Sequence, residues 1–174
     1  MSSIRVVRGV GRAETRMASY DAALAAANIH NYNLVPVSSV IPATATVEDV
    51  GEAPDLGPAG ARLTVVEARA TTGRVATVSA GLGWATGAGP GLRYEAAGEA
   101  PAEGRRRAET GLEDRRGPTA WTLDDQDHAA ATAARERSRQ TTSDAAAGSA
   151  RRTRSGATKR PFWSVISSTR APSR

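Results

Sequence analysis

The chain has 174 residues, a formal net charge of +5, two histidines (His30 and His128) and no cysteine; its length suits one domain with a proper core. The absence of thiols excludes disulfides, thiolate zinc sites and a cysteine nucleophile and fits a reducing compartment, while two histidines supply a metal site or a Ser-His-Asp triad poorly, so no metal is expected. The apolar stretches fall short of the roughly 20 residues that span a bilayer and "MSSI" begins no hydrophobic signal region, so a cytoplasmic protein that stays off membranes is expected.

In chain order, Ile4, Val6 and Val7 in "SIRVVRGVG" predict a first strand ended by Gly9 and Gly11. Tyr20, Ala23, Leu24 and Ala27 fall at i, i+3, i+4 and i+7, one face of a helix with Ser19 as N-cap and Asn28 near its end. "YNLVPVSSVI" reads as the second strand, and Pro36 argues against a central, fully hydrogen-bonded position there. "GEAPDLGPAGA" is a loop by its Gly and Pro content. "RLTVVEARATT" and "RVATVSAGLGWA" read as a hairpin turning at Gly73, and "TGAGPG" leads into a further strand, "LRYEAAG". "AEGRRRAETGLEDRR" is a polar helix with Leu112 nearly its only large apolar residue. The fold class expected is α+β, a mainly antiparallel sheet with few helices.

The charge is unevenly placed. Residues 135–174 carry 10 of the 23 basic and 2 of the 18 acidic side chains. That stretch is rich in Arg, Ser, Thr and Ala, shows neither helical nor strand periodicity, and has one apolar island at residues 161–166. It reads as a basic, mostly disordered C-terminal tail behind a domain of residues 1–134. Counterion release could draw such a tail to nucleic acid, but one Phe, three Trp and three Tyr make poor base-stacking platforms, so nucleic acid is not the expected partner.

Three features could pass for chemistry. "GLGWATGAGPG" lacks the G-x-G-x-x-G spacing and no helical pattern follows it, so a Gly-rich turn is the better reading than a dinucleotide loop. "RRR" at 105–107 reads as a solvated helix face, and His30 as a turn residue.

Ser38 and Ser39 stand side by side in an apolar, β-branched run closed by Pro42. Taken alone, the pair fits a loop or an outward-facing strand as well as a functional role. With its surroundings, "DAALAAANIHNYNLVPVSSVIP", together with "GLGWA" and "GLRYEAAGE", the chain resembles the pyruvoyl-dependent arginine decarboxylase family over residues 4–121. The most specific element, N-Y-N-L-x-x-V-S-S-[IV]-[IL]-P, is matched at every fixed position by residues 31–42.

The resemblance implies that the proenzyme cuts itself between Ser38 and Ser39. The Ser39 hydroxyl attacks the Ser38 carbonyl, the amide becomes an ester, β-elimination breaks the ester, and hydrolysis of the product leaves a pyruvoyl group derived from Ser39 as the only cofactor. Such a ketone condenses with an amine and draws electron density as carbon dioxide leaves. Asn33 occupies the position of an amide side chain that helps fix the segment, or is an ordinary strand-start asparagine. Glu95, flanked by the apolar Leu92 and Tyr94, is implied to be the general acid, the alternative being a solvent-facing strand residue. Asp21, 18 residues before Ser39, holds the position of the guanidinium-binding carboxylate; in the first turn of the expected helix it would equally be favoured by the helix dipole.

The implied protein is an αββα sandwich, a trimer with sites near subunit boundaries, converting L-arginine to agmatine and carbon dioxide. Two alternatives stay open: a decarboxylase of another amino acid, and an inactive homologue with an altered C-terminus and a nucleic-acid-binding tail. Family members carry a further strand near the C-terminus, and from about Ala134 the sequence shows none. A reading-frame change in a GC-rich gene would explain the switch in composition; resequencing the locus and finding an uninterrupted frame would remove that explanation.

Overall fold

The computed structural model describes residues 2–73, 77–100, 102–134 and 160–169, the last as backbone. Nine strands and two helices are described, in the order β1 (Ser2–Ala13), α1 (Arg16–Ala26), β2 (Asn33–Pro36), β3 (Val40–Ile41), β4 (Ala45–Gly51), β5 (Arg62–Thr71), β6 (Thr77–Thr86), β7 (Gly91–Gly98), α2 (Glu103–Arg116), β8 (Asp125–Ala134) and β9 (Arg160–Thr169). The α+β class and the mainly antiparallel pairing agree with expectation: β1–β4 and β2–β5 are parallel, and the other pairs antiparallel. The strands form two sheets, β2-β5-β9-β1-β4 and β3-β7-β6-β8.

Alternation explains why the sheets face each other. Ile4 and Val6 of β1, Val66, Ala68 and Ala70 of β5, Val78, Ala80, Leu82 and Trp84 of β6, and Ala129, Ala131 and Ala133 of β8 form one buried cluster between the sheets. The out-of-phase residues Val7, Leu63 and Val65 cluster instead with Leu24 of α1 and Ala27 at its C-cap. On the second sheet Ala85 and Leu92 pack with Leu112 of α2. β1 and β5 thus present one face to the shared core and the other to α1, and β6 one face to that core and the other to α2.

The first strand does not end at its glycines. β1 runs through Gly9 and Gly11, and their role is proximity: a Cβ at Gly9 would sit 1.9 Å from the Ala23 carbonyl oxygen and one at Gly11 2.0 Å from that of Ser19. Bare backbone lets α1 lie on the sheet. The helix also starts earlier than expected. Thr15 is the N-cap, its side chain accepting from the Ala18 N–H at 3.1 Å, whereas Ser19 is buried inside the helix and donates back to the Arg16 carbonyl at 2.8 Å. No acidic residue lies in the first turn, so the helix-dipole account of Asp21 falls away. The apolar face itself is as expected, with Ala23, Leu24 and Ala27 buried.

The expected hairpin is not one. β5 lies in the first sheet and β6 in the second, because both runs have an apolar inner face and the chain turns a corner between two layers instead of pairing with itself. Ahead of residue 135, two strands, β4 and β8, lie where none is expected from sequence. The loop before β5, the strand β7 and the polar helix α2 are as expected, and Leu112 is fully buried. "GLGWA" belongs to β6, where a Cβ on Gly81 would sit 2.4 Å from the Gly104 carbonyl; close approach of α2 is its use. Arg105 pairs with Glu109 and Arg107 with Glu103 along α2, a solvated face as read.

Within the tail, the expectation of no strand is corrected at residues 160–169. β9, which contains the apolar island, is central in the first sheet, paired with β1 on one side and β5 on the other. The remainder of the expected disordered tail, residues 135–159 and 170–174, lies outside the described residues.

Candidate functional site

The expected second strand splits at the serine pair. β2 is an edge strand parallel to β5, as Pro36 required, and the Val37 N–H still donates to Val65 of that sheet at 3.0 Å. Two residues later the Ser39 carbonyl accepts from the Arg93 N–H of the second sheet at 2.8 Å, and Val40 pairs with Leu92. Ser38 is therefore the single residue over which the backbone passes from one sheet to the other. It is exposed, and Ser39 is buried, 8% exposed. The bond between them is held from both ends by regular structure while belonging to neither ladder.

Ser39 Oγ donates to Glu95 Oε1 at 2.6 Å. This is a short, charge-assisted contact, and it joins two of the residues singled out from sequence across 56 positions of chain. The surroundings of Glu95 differ from the expectation. Leu92 and Tyr94 lie close before it in sequence, but alternation along β7 sends both to the α2 side, where they pack with Leu112. On its own face Glu95 follows Arg93, two residues back, and its charge acts on that buried guanidinium. Its neighbour is a cation rather than an apolar wall. Glu95 is half-buried and also borders an open cleft of about 460 Å³ with Tyr94, Arg106, Thr110 and Asp114. A separate cavity of about 480 Å³, bordered by Arg69, Thr77, Glu99 and Arg107, reaches neither Ser39 nor Glu95.

The other two residues stand elsewhere in this chain. Asn33 is exposed; its amide donates to the Gly60 carbonyl at 2.6 Å and its backbone N–H to Ala61 at 2.9 Å, pinning the start of β2 to the loop before β5. Asp21 is exposed on α1, which packs on the first sheet, whereas Glu95 belongs to the second. One chain brings together Ser39 and Glu95 and does not bring Asp21 to them.

Sequence reading missed Arg93. It is 2% exposed, and its guanidinium Nη2 donates to the Val40 carbonyl at 3.3 Å. Burial pushes the guanidinium below its ordinary range and the charge of Glu95 pushes it back up. The signal was available: in a strand with period 2, an arginine two residues before a carboxylate shares its face.

A pyruvoyl group built from residue 39 would fit here. Ser39 is an intact serine standing in for it, its Cβ becoming the methyl and its Cα the ketone carbon. Its own carbonyl, which the group would keep, is already held by the Arg93 N–H, and a carboxylate lies within hydrogen-bond reach of the side chain.

Comparison with known proteins gives a consistent picture. A family model described as pyruvoyl-dependent arginine decarboxylase matches residues 3–154. Proteins of that name from two strains of Halobacterium salinarum are each 60% identical over 114 residues, spanning 64% of this chain and 71% of theirs. One from Methanopyrus kandleri is 45% identical over 49 residues, 28% of this chain and 33% of its own.

Proposed function

This chain belongs to the pyruvoyl-dependent arginine decarboxylase family, and from that premise we propose that it cuts itself between Ser38 and Ser39 and then converts L-arginine to agmatine and carbon dioxide. The observation that carries the reading is the 2.6 Å bond from the Ser39 hydroxyl to Glu95. A hydroxyl bound to a carboxylate has a ready proton acceptor, which is what attack on an amide demands. Glu95 takes the Oγ proton as Oγ forms its bond to the Ser38 carbonyl carbon, the Ser38–Ser39 carbon–nitrogen bond breaks, and the freed nitrogen gains a proton. The resulting ester breaks by loss of the Ser39 α-proton and departure of the Ser38 carboxylate, and the dehydroalanine left at residue 39 tautomerises to an imine that takes up water and releases ammonia to give the ketone.

Once in place at residue 39, the keto group supplies the electron sink for breaking the substrate's carbon–carbon bond. The remaining work is done by side chains. Glu95, reached from solvent through its cleft, returns a proton where the carboxylate has left. Asn33 acts as a positioning residue by fixing the start of β2. Asp21 accepts the planar guanidinium of arginine in a bidentate pair, and because it is remote from Glu95 within one chain, it serves a site at a subunit boundary in a cytoplasmic trimer. The family's αββα sandwich is supported by one helix on the outer face of each sheet.

Purified protein left to mature is expected to separate into a fragment ending at Ser38 and a larger one whose blocked N-terminus is residue 39, while Ser39→Ala stays whole. The mature form should release carbon dioxide from arginine without pyridoxal phosphate, and borohydride with substrate should abolish activity. A wild type that never cuts refutes the proposal; one that cuts but prefers another amino acid refutes the role of Asp21 alone.

A further inference from the structure

Among the described residues, Arg93 is the bulkiest of the fully enclosed side chains. Burying a guanidinium is costly unless it is paired and hydrogen-bonded, and an apolar side chain of similar size would fill the same space without that cost. The residue is, however, linked to the cleavage segment in three ways. Its backbone N–H holds the Ser39 carbonyl at 2.8 Å, its Nη2 holds the Val40 carbonyl at 3.3 Å, and its charge attracts Glu95, whose Oε1 accepts from Ser39 Oγ at 2.6 Å. The first link is independent of the side chain; the other two depend on it.

We propose that Arg93 is a positioning residue for self-processing, a fixed internal cation that draws the Glu95 carboxylate onto the Ser39 hydroxyl while anchoring the chain just past the bond to be cut. The proposal rests on the reading that this bond is cut. Carboxylate and hydroxyl come from two segments far apart in the chain, β7 and the crossover, so something common to both must set their distance. Arg93 reaches both. A carboxylate free to swing into the adjoining cleft would meet water in preference to Ser39.

The test is the rate at which purified proenzyme divides into its two fragments, followed by mass spectrometry, with far-UV circular dichroism as the measure of folding. Arg93→Met, which keeps the bulk and removes the charge, is expected to slow division by about 100-fold or more, the scale of a positioned proton acceptor. Arg93→Lys, which restores a charge without the fork, should recover the rate to within about tenfold of wild type. A folded Arg93→Met chain that divides at the wild-type rate overturns the proposal and leaves the proposed function standing; a wild type that never divides overturns the function itself. If Arg93→Met does not fold, Arg93→Lys, Glu95→Gln and their double variant decide. A double variant no slower than Glu95→Gln supports action through Glu95, and slowing that multiplies shows independent effects and sinks it.

Discussion

Tyr20 ties α1 to the first sheet through both of its chemical characters. Its hydroxyl donates to Glu67 Oε2 at 3.0 Å, and the guanidinium of Arg69 lies 4.4 Å from the ring centroid. Burial, followed by the charge and hydrogen bond of Glu67, raises the phenol from 10.0 to about 12. The folded chain therefore keeps this proton where the unfolded chain loses it. Its contribution to stability is intact below pH 10 and is lost as the pH rises through about 12. Thermal unfolding from pH 9 to 12 should show a fall in midpoint that Tyr20→Phe reduces; equal falls in the two proteins would contradict the assignment. The same alternation that aims Glu67 and Arg69 at Tyr20 aims Arg93 and Glu95 at Ser39. Ser39 and Glu95 could be named from sequence because the residues around them carry a family pattern. The charge beside Glu95 was missed because its neighbours were taken along the chain rather than across the strand face, and Asp21 was given a dipole role by a cap placed four residues too late.

At the scale of elements, the packing of α1 against β1 depends on the absence of two side chains. Gly11→Ala would put a Cβ 2.0 Å from one carbonyl oxygen and 2.4 Å from the Ala23 nitrogen, both backbone atoms that cannot swing aside. It should destabilise the protein by about 1–3 kcal/mol, the usual cost of overpacking. Alanine at Gly89, which meets nothing within 4 Å, should change stability by under about 0.5 kcal/mol. Urea midpoints at unchanged slope measure both, and equal effects would remove the argument from close approach. These glycines also explain a misread boundary, since glycine usually punctuates strands and here it thins one. Period 2 revealed β5, β6 and β7 but not their partners, because a hairpin and a corner between layers share the same local pattern. β8 went unseen for a different reason. Its inner face is Ala129, Ala131 and Ala133, an alternation of side chains too small to register as a strand, though small residues suit closely opposed sheets.

For the whole molecule, cutting after Ser38 divides the chain without dividing the sheet. β1 and β2 would remain with the short fragment, yet β1 lies between β9 and β4 and β2 lies against β5, all from the longer one. Hydrogen bonds and the shared core therefore hold the fragments together, and the new terminus stays next to Glu95. That arrangement depends on β9. It pairs with β1 from Ile4 to Ala13 and with β5 from Thr64 to Thr71, so its loss would strip one side of each strand and open the sheet between β1 and β5, the strand that supports β2. Each lost ladder bond costs about 0.5–1.5 kcal/mol net even where water replaces it, and two ladders' worth is comparable to the roughly 5–15 kcal/mol by which domains are stable. A chain ending at residue 159 is therefore expected to lose cooperative unfolding and to remain uncut, because the crossover at Ser38 is positioned only while both sheets are formed around it. If that shortened chain folds and divides at the wild-type rate, β9 is dispensable to the fold and the C-terminal region contributes nothing to the making of the site.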